Sequence, residues 1–260
     1  MFDRLAAALA AETPVAVVTR LDGPQIGAKL LVFSDETLGT LGNARLDDAV
    51  SAEARARLAA GENALRSFGA AGEPIGNDVR VFIASYAPKP DMYIFGAIDF
   101  SRAMAQVGKT LGYRVTVVDA RPIFATRARV PDADAVVVAW PDEFLQTAAV
   151  DDRTALIVLT HDVKFDLPLL QLAARTPAGY IGAMGSRNTH ANRVAALREA
   201  GITEAQLARI SAPIGLDIGA RTPEETAISI AAEIVALREG RRGGRLADNT
   251  LPIHNARALV

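Results

Sequence analysis

Several short polar segments carry residue types that can hold an anion or move a proton, and each directly follows an apolar run. Gly182-Ala183-Met184-Gly185-Ser186-Arg187 precedes a helical stretch. Its backbone N–H groups, serine hydroxyl and arginine can surround a phosphate at the positive end of that helix. A tight turn with an ordinary N-cap would use the same residues. In Thr160-His161-Asp162, His161 is one of 3 histidines and can give up a proton, bind a ligand, or simply hydrogen-bond the backbone. Asp119 closes the β-branched run 114–118, where it can read ribose hydroxyls or brace its own loop. Arg121 beside it can offset a phosphate or pair with Asp119. Asp217 and Arg221 lie in a loop with Gly215 and Gly219, where they can face a ligand or pair with each other. His190 stands one turn into the helix after the anion segment and can assist it, and His254 lies in the tail. No catalytic triad, HExxH, P-loop or metal-ligand spacing is present. The chemistry expected is therefore ligand binding, with no catalytic residue and no protein-held metal.

These segments need elements to position them. Residues 91–95 are a short apolar run ending at Gly96, and helical periodicity follows over 99–111 until Gly112 stops it. Further strands are expected at 114–118, 135–139, 154–159 and 178–181, with helices or turns at 141–149, 164–174 and 187–199. Thr222-Pro223-Glu224-Glu225 starts a capped helix running to about Arg238, with Ile228, Ala231, Ile234 and Leu237 as its apolar stripe. Strand and helix alternate, which predicts a doubly wound parallel sheet of Rossmann type. In the order 3-2-1-4-5, the strand ends at Gly96-Ala97-Ile98-Asp99 and Thr160-His161-Asp162 lie side by side, with Gly182–Arg187 next door. These three loops should form one cleft. Asp119 stands 23 residues after Gly96, the layout of a dinucleotide-binding unit. The glycine fingerprint departs from that pattern, because Ile98 occupies the place of the second glycine.

The first 86 residues follow a different rhythm. Strands are expected at 14–19, 29–33, 37–41, 64–68 and 79–86, around a helix at 47–60 and a short amphipathic helix at the N-terminus. This reads as a small α+β domain over 1–87, joined by Ala87-Pro88-Lys89-Pro90 to the α/β domain over 91–240. An Arg- and Gly-rich tail over 241–260 is expected to be mobile.

Composition narrows the classes. The 260 residues carry a net charge of -2, which gives no electrostatic basis for nucleic acid or an acidic membrane. Cysteine is absent, which removes disulfides, thiolate metal sites and a cysteine nucleophile. The N-terminus lacks the basic start and apolar core of a signal peptide, and no apolar run has a membrane helix's length. A cytoplasmic protein is expected.

Four motifs in register bring a family into view. They are Gly112-Tyr-Arg-Val-Thr-Val-Val-Asp119, Leu159-Thr-His-Asp162 with Lys164-Phe-Asp166, Gly182-Ala-Met-Gly-Ser-Arg187, and Gly215-Leu-Asp-Ile-Gly-Ala-Arg-Thr-Pro-Glu-Glu225. Together they resemble the XdhC/CoxI family, accessory factors for molybdenum hydroxylases such as xanthine dehydrogenase and carbon monoxide dehydrogenase. The resemblance implies binding of the molybdenum cofactor, its protection during sulfuration, and its insertion into an apo-enzyme. A cofactor-binding chaperone fits this better than an enzyme. The cofactor is a pterin with a phosphate, often extended by a nucleotide. The binding residues would be Gly96, Ala97, Asp99, Asp119, Arg121, Thr160, His161, Asp162, Gly182, Gly185, Ser186, Arg187, Asp217 and Arg221. The chain departs from the family at two places. Arg45 stands where the N-terminal domain carries a cysteine, although Asp47 keeps the acid that follows. Ile98 and Asp99 stand where the first turn usually has Gly-His. Without a thiol, a cysteine desulfurase or a cysteine-bearing paralogue would be a partner beside the apo-hydroxylase, and family analogy adds a homodimer. The competing expectation is an NAD(P)-dependent oxidoreductase, in which Asp119 would favour NAD over NADP.

Overall fold

Two stretches of chain with different hydropathy rhythm build two separate sheets in the computed structural model, which describes residues 1–160 and 162–250. The chain divides into one unit built on Met1–Pro88 and a second of Lys89–Arg245. His161 and His254 lie outside the described residues.

In the first unit the elements are α1 (Phe2–Ala10), β1 (Val15–Arg20), β2 (Lys29–Val32), β3 (Thr37–Gly39), α2 (Ala44–Ala60), β4 (Ala64–Phe68) and β5 (Val79–Tyr86). The sheet is antiparallel in the order β3-β2-β1-β5-β4. Alternation along β5 buries Val79, Val81 and Ile83 and turns Arg80 and Phe82 outward. Those inward residues join Leu46, Val50, Ala54 and Leu58 of α2 in one core, while Ala8 of α1 covers Val15 and Leu31 on the other face. Helix α2 begins earlier than residue 47. The Asn43 side chain caps it by accepting from the Arg45 N–H, and Asp47 instead ties down the preceding loop through Thr40 and the Leu41 N–H. Arg45 is therefore exposed in the first turn of α2.

The second unit contains β6 (Asp91–Phe95), α3 (Asp99–Thr110), β7 (Arg114–Asp119), β8 (Ala135–Val138), α4 (Pro141–Thr147), β9 (Ala155–Val158), α5 (Val163–Ala173), β10 (Tyr180–Ala183), α6 (Arg187–Glu199), α7 (Glu204–Leu207), β11 (Ile210–Ser211) and α8 (Pro223–Arg238). Its sheet is parallel throughout, in the order β11-β10-β9-β6-β7-β8. This is the doubly wound α/β arrangement expected, with β11 added at one edge as a two-residue strand too short to leave a hydropathy signal. Both faces are covered, so β6 and β9 are apolar almost throughout. Met92 and Ile94 face α3 and α8, whereas Tyr93 and Phe95 face α4 and α5.

Two details differ from the hydropathy reading. The fifth parallel strand runs over Tyr180–Ala183 rather than 178–181, which draws Gly182 into the sheet. The buried stripe of α8 is Ala227, Ile230, Ala231 and Ile234, while Ile228 and Leu237 are half exposed. Apolar residues on both sides of α8 make two stripes compatible with its period. The side that packs on α3 is the buried one. Among the described residues, no helix is long and apolar enough to cross a membrane.

Candidate ligand-binding site

The first turn of the sheet depends on a glycine. Gly96 has φ +100°, and a Cβ there would lie 2.9 Å from Thr160 Cγ2 and 3.3 Å from Thr160 N. The turn after β6 is thus pressed against the segment after β9. Ile98 at the N-cap of α3 offers no side-chain acceptor, and Ser101 compensates: its hydroxyl donates to the Gly96 carbonyl and accepts the Ile98 N–H at 3.3 Å. Ala97 is fully buried. Asp99 begins α3, lies 3.6 Å from Arg129, and lines an open groove of about 550 Å³ with Arg102 and Glu224.

Asp119 closes β7 and is bound on every side. Oδ1 accepts the Arg121 N–H at 2.9 Å and Arg121 Nε at 3.0 Å; Oδ2 accepts the Ala97 N–H at 2.8 Å and an Arg121 terminal nitrogen at 2.9 Å. A carboxylate has about four acceptor sites, so none is left for a ribose hydroxyl. Asp119 braces the turns after β6 and β7 against each other, and Arg121 is its partner. The role of reading a ribose, one of the two expected for it, has no free acceptor in this arrangement. Burial works to raise the Asp119 pKa, but the hydrogen bonds from Arg121 and from the Ala97 and Arg121 backbone outweigh it and hold the carboxyl below the usual aspartate range. A depressed folded-state pKa contributes stability above the unfolded value and loses it as the pH falls through the folded one. The melting temperature should therefore decline from about pH 4 downward. The decline should be shallower for Asp119→Asn; identical acid profiles for the two proteins would contradict the brace.

The segment after β9 is the hub of the region. Thr160 is buried against Gly96 and donates to Asp166, which is fully buried in α5. Asp162 caps α5 by accepting the Lys164 N–H at 3.1 Å. The Arg121 guanidinium holds its proton more tightly through its hydrogen bonds to Asp119, and the charge of Asp162 adds to the effect. Asp166 also receives Arg193 of α6, itself 4% exposed, whose other terminal nitrogen donates to the Met184 carbonyl at 2.6 Å. A buried chain of Thr160, Asp166 and Arg193 thus joins the ends of β9 and β10. Among the described residues, Arg193 Nε is buried without a hydrogen-bond partner. Polarity patterns hide this pair, since Arg193 sits in a helix that reads as solvated.

The anion segment is shorter than its sequence suggests. Gly182 pairs in register with Ile157 and Ser211 inside the sheet. A side chain there would collide with Ile214 and with the Tyr180 ring, so this glycine serves close packing rather than a loop. The turn proper is Met184-Gly185-Ser186. Ser186 caps α6 by accepting the Thr189 N–H at 3.1 Å. By position, the Arg187 and Asn188 N–H groups have no acceptor within α6. Arg187 is exposed. The pKa of His190 is lowered by burial and then by the nearby Arg193 charge, so the imidazole is held neutral more firmly than a free one.

Asp217 and Arg221 are exposed and, among the described residues, do not pair with each other. Their loop is held from its base, where the Gly215 N–H donates to Glu233 at 2.9 Å and Ser229 donates to the Leu216 carbonyl at 2.6 Å. Among the described residues, no hydrogen bond or ion pair links the two side chains to the turns after β6, β9 or β10. Nor is any group of His, Asp and Glu among those residues arranged to hold a metal.

Turns at the switch point of a doubly wound parallel sheet, with a helix N-terminus and a buried arginine beside them, are the arrangement of a Rossmann-like domain. The chain belongs to the XdhC family: the family model of the XdhC Rossmann domain matches residues 92–234, and that of the XdhC and CoxI family matches residues 8–69. A protein of Bacillus subtilis strain 168, named as a probable component of xanthine dehydrogenase, is 32% identical over 159 residues, covering 61% of this chain and 46% of that protein. The molybdenum cofactor insertion chaperone PaoD of Escherichia coli strain K12 is 29% identical over 157 residues, covering 60% of this chain and 43% of that protein. The chain thus spans less than half the length of these curated relatives. A crystal structure described as a xanthine dehydrogenase from Bacillus halodurans shares the fold, with TM-score 0.66, 24% identity, and coverage of 90% of this chain and 65% of that one.

Proposed function

We propose that this protein is an accessory factor for a molybdenum hydroxylase of the xanthine dehydrogenase or carbon monoxide dehydrogenase type. It binds the molybdenum cofactor as cargo at the C-terminal ends of β6, β9 and β10, assists its sulfuration, and passes it to the apo-enzyme. Family membership and the roles carried in its relatives' names support the reading. The observation that carries it is the turn before α6, where the exposed Arg187 and the first N–H groups of the helix follow the Met184 carbonyl held by the buried Arg193, whose Nε lacks an acceptor among the described residues. A phosphate supplies acceptors for such donors.

The chain holds no cysteine, so it gives the metal no thiolate and the incoming sulfur no carrier. Both come from a partner in this reading, a cysteine desulfurase or a cysteine-bearing paralogue. A cytoplasmic homodimer completes it. The alternative, an NAD(P)-dependent oxidoreductase, is weakened by Ile98 at the second glycine position and by the saturated carboxylate of Asp119. On the proposed reading, Arg187→Ala weakens a phosphorylated pterin by about 1.5–3 kcal/mol, the range for hydrogen bonds to charged groups. Unchanged affinity in calorimetry would remove the anion-segment assignment.

A further inference from the structure

Exposed apolar side chains gather at one end of the sheet. Val138 at the end of β8 is 52% exposed, Trp140 is 45% exposed, and Val163 at the start of α5 is 60% exposed. Trp140 is the only tryptophan of the chain. Its ring lies 5.0 Å from that of Phe165, centroid to centroid, at an angle of 41°. Lys164 Nζ stands 4.8 Å from the Phe165 centroid and 6.0 Å from the Trp140 centroid, and 3.9 Å from an Asp162 oxygen. An indole left half in water presents a large, rigid apolar face that a planar ring can cover. Its place is informative too. Ligands of doubly wound sheets bind beyond the carboxyl ends of the strands, and Trp140 and Phe165 follow β8 and β9 at that end.

We infer that Trp140, backed by Phe165, is a stacking shelf for the planar ring of a ligand, a nitrogen heterocycle carrying an acidic substituent. The inference rests on the cofactor-binding reading and names the part of the site that takes the ring rather than the phosphate. The aromatic face is tolerant of ring type, and the ammonium of Lys164 beside it favours an anionic substituent over a cationic one. Helix α5 links the shelf to the phosphate end, since its Phe165 packs against Trp140 and its Asp166 holds Arg193, which donates to the Met184 carbonyl.

The test uses the full chain and two probes, 6-hydroxymethylpterin and its monophosphate, titrated calorimetrically. Trp140→Ala is expected to weaken both probes about ten-fold, the scale of one stacked base. Trp140→Phe, which keeps an aromatic face, should retain most of the affinity, and this separates stacking from a folding defect in the alanine variant. Arg187→Ala should weaken the monophosphate alone. If Trp140→Ala binds both probes as the parent does while Arg187→Ala still weakens the monophosphate, the shelf is wrong and the phosphate end stands. If the parent protein binds neither probe, the shelf and the cofactor reading fail together.

Discussion

Replacing Arg193 with methionine is expected to lower stability by about 3–5 kcal/mol, the scale for removing one member of a buried ion pair. Asp166 is fully buried and Arg193 nearly so. With the arginine gone, the buried carboxylate loses the guanidinium that Arg193 brings to it, while the Thr160 hydroxyl still donates to it. The same pair replaced together, Asp166→Leu with Arg193→Met, should cost less than the arginine change alone, because the buried carboxylate is removed along with the cation. Urea unfolding of the two single variants and the double variant gives the coupling directly. Additive losses would contradict a buried pair joining α5 to α6. Ligand affinity should fall even in the double variant, because the guanidinium beneath the anion segment is missing.

The second large effect is expected at Asp119. Asp119→Ala strands the buried Ala97 N–H and releases Arg121, at a cost of about 2–4 kcal/mol. Since its oxygens are all occupied, its loss should weaken a bare pterin phosphate and a nucleotide-extended form by the same factor. A selective loss for the nucleotide-extended form would show that Asp119 does reach the ribose, and the brace would then be secondary. Chemical denaturation and parallel titrations with the two ligand forms separate the outcomes.

How much of this is legible in the chain depends on what each residue answers to. The parallel sheet is legible because β6, β7 and β9 are short apolar runs punctuated by Gly96, Gly112 and polar strand ends, and topology rules leave few orders for such a pattern. The capped start of α8 is legible because Thr222, Pro223 and Glu225 act on their own backbone. Gly182 reads as part of a loop because a glycine needed for close packing and a glycine needed for a turn look alike in one dimension. Arg193 escapes a reading by pattern because its partner Asp166 lies 27 residues away on another helix. Ion pairs of that separation leave no periodic trace. Asp119 and Arg121 stand out as a possible pair, but only the geometry shows that the pairing fills the carboxylate. Trp140 gives no sequence signal because exposure, not residue type, is what makes it unusual.

The family resemblance implies a cysteine where Arg45 stands, and Arg45 is exposed in the first turn of α2, where a helix N-terminus favours an anion over a cation. On the proposed reading, the chain binds the phosphate and ring of a pterin and leaves sulfur chemistry to another protein.

The most direct measurement is calorimetric titration of the purified protein with molybdenum cofactor, run beside NAD and NADP under the same conditions. The account predicts saturable binding of the molybdenum cofactor and no heat from either nicotinamide nucleotide. Binding of a nicotinamide nucleotide alone would contradict it and make the protein an oxidoreductase with an unusual first turn.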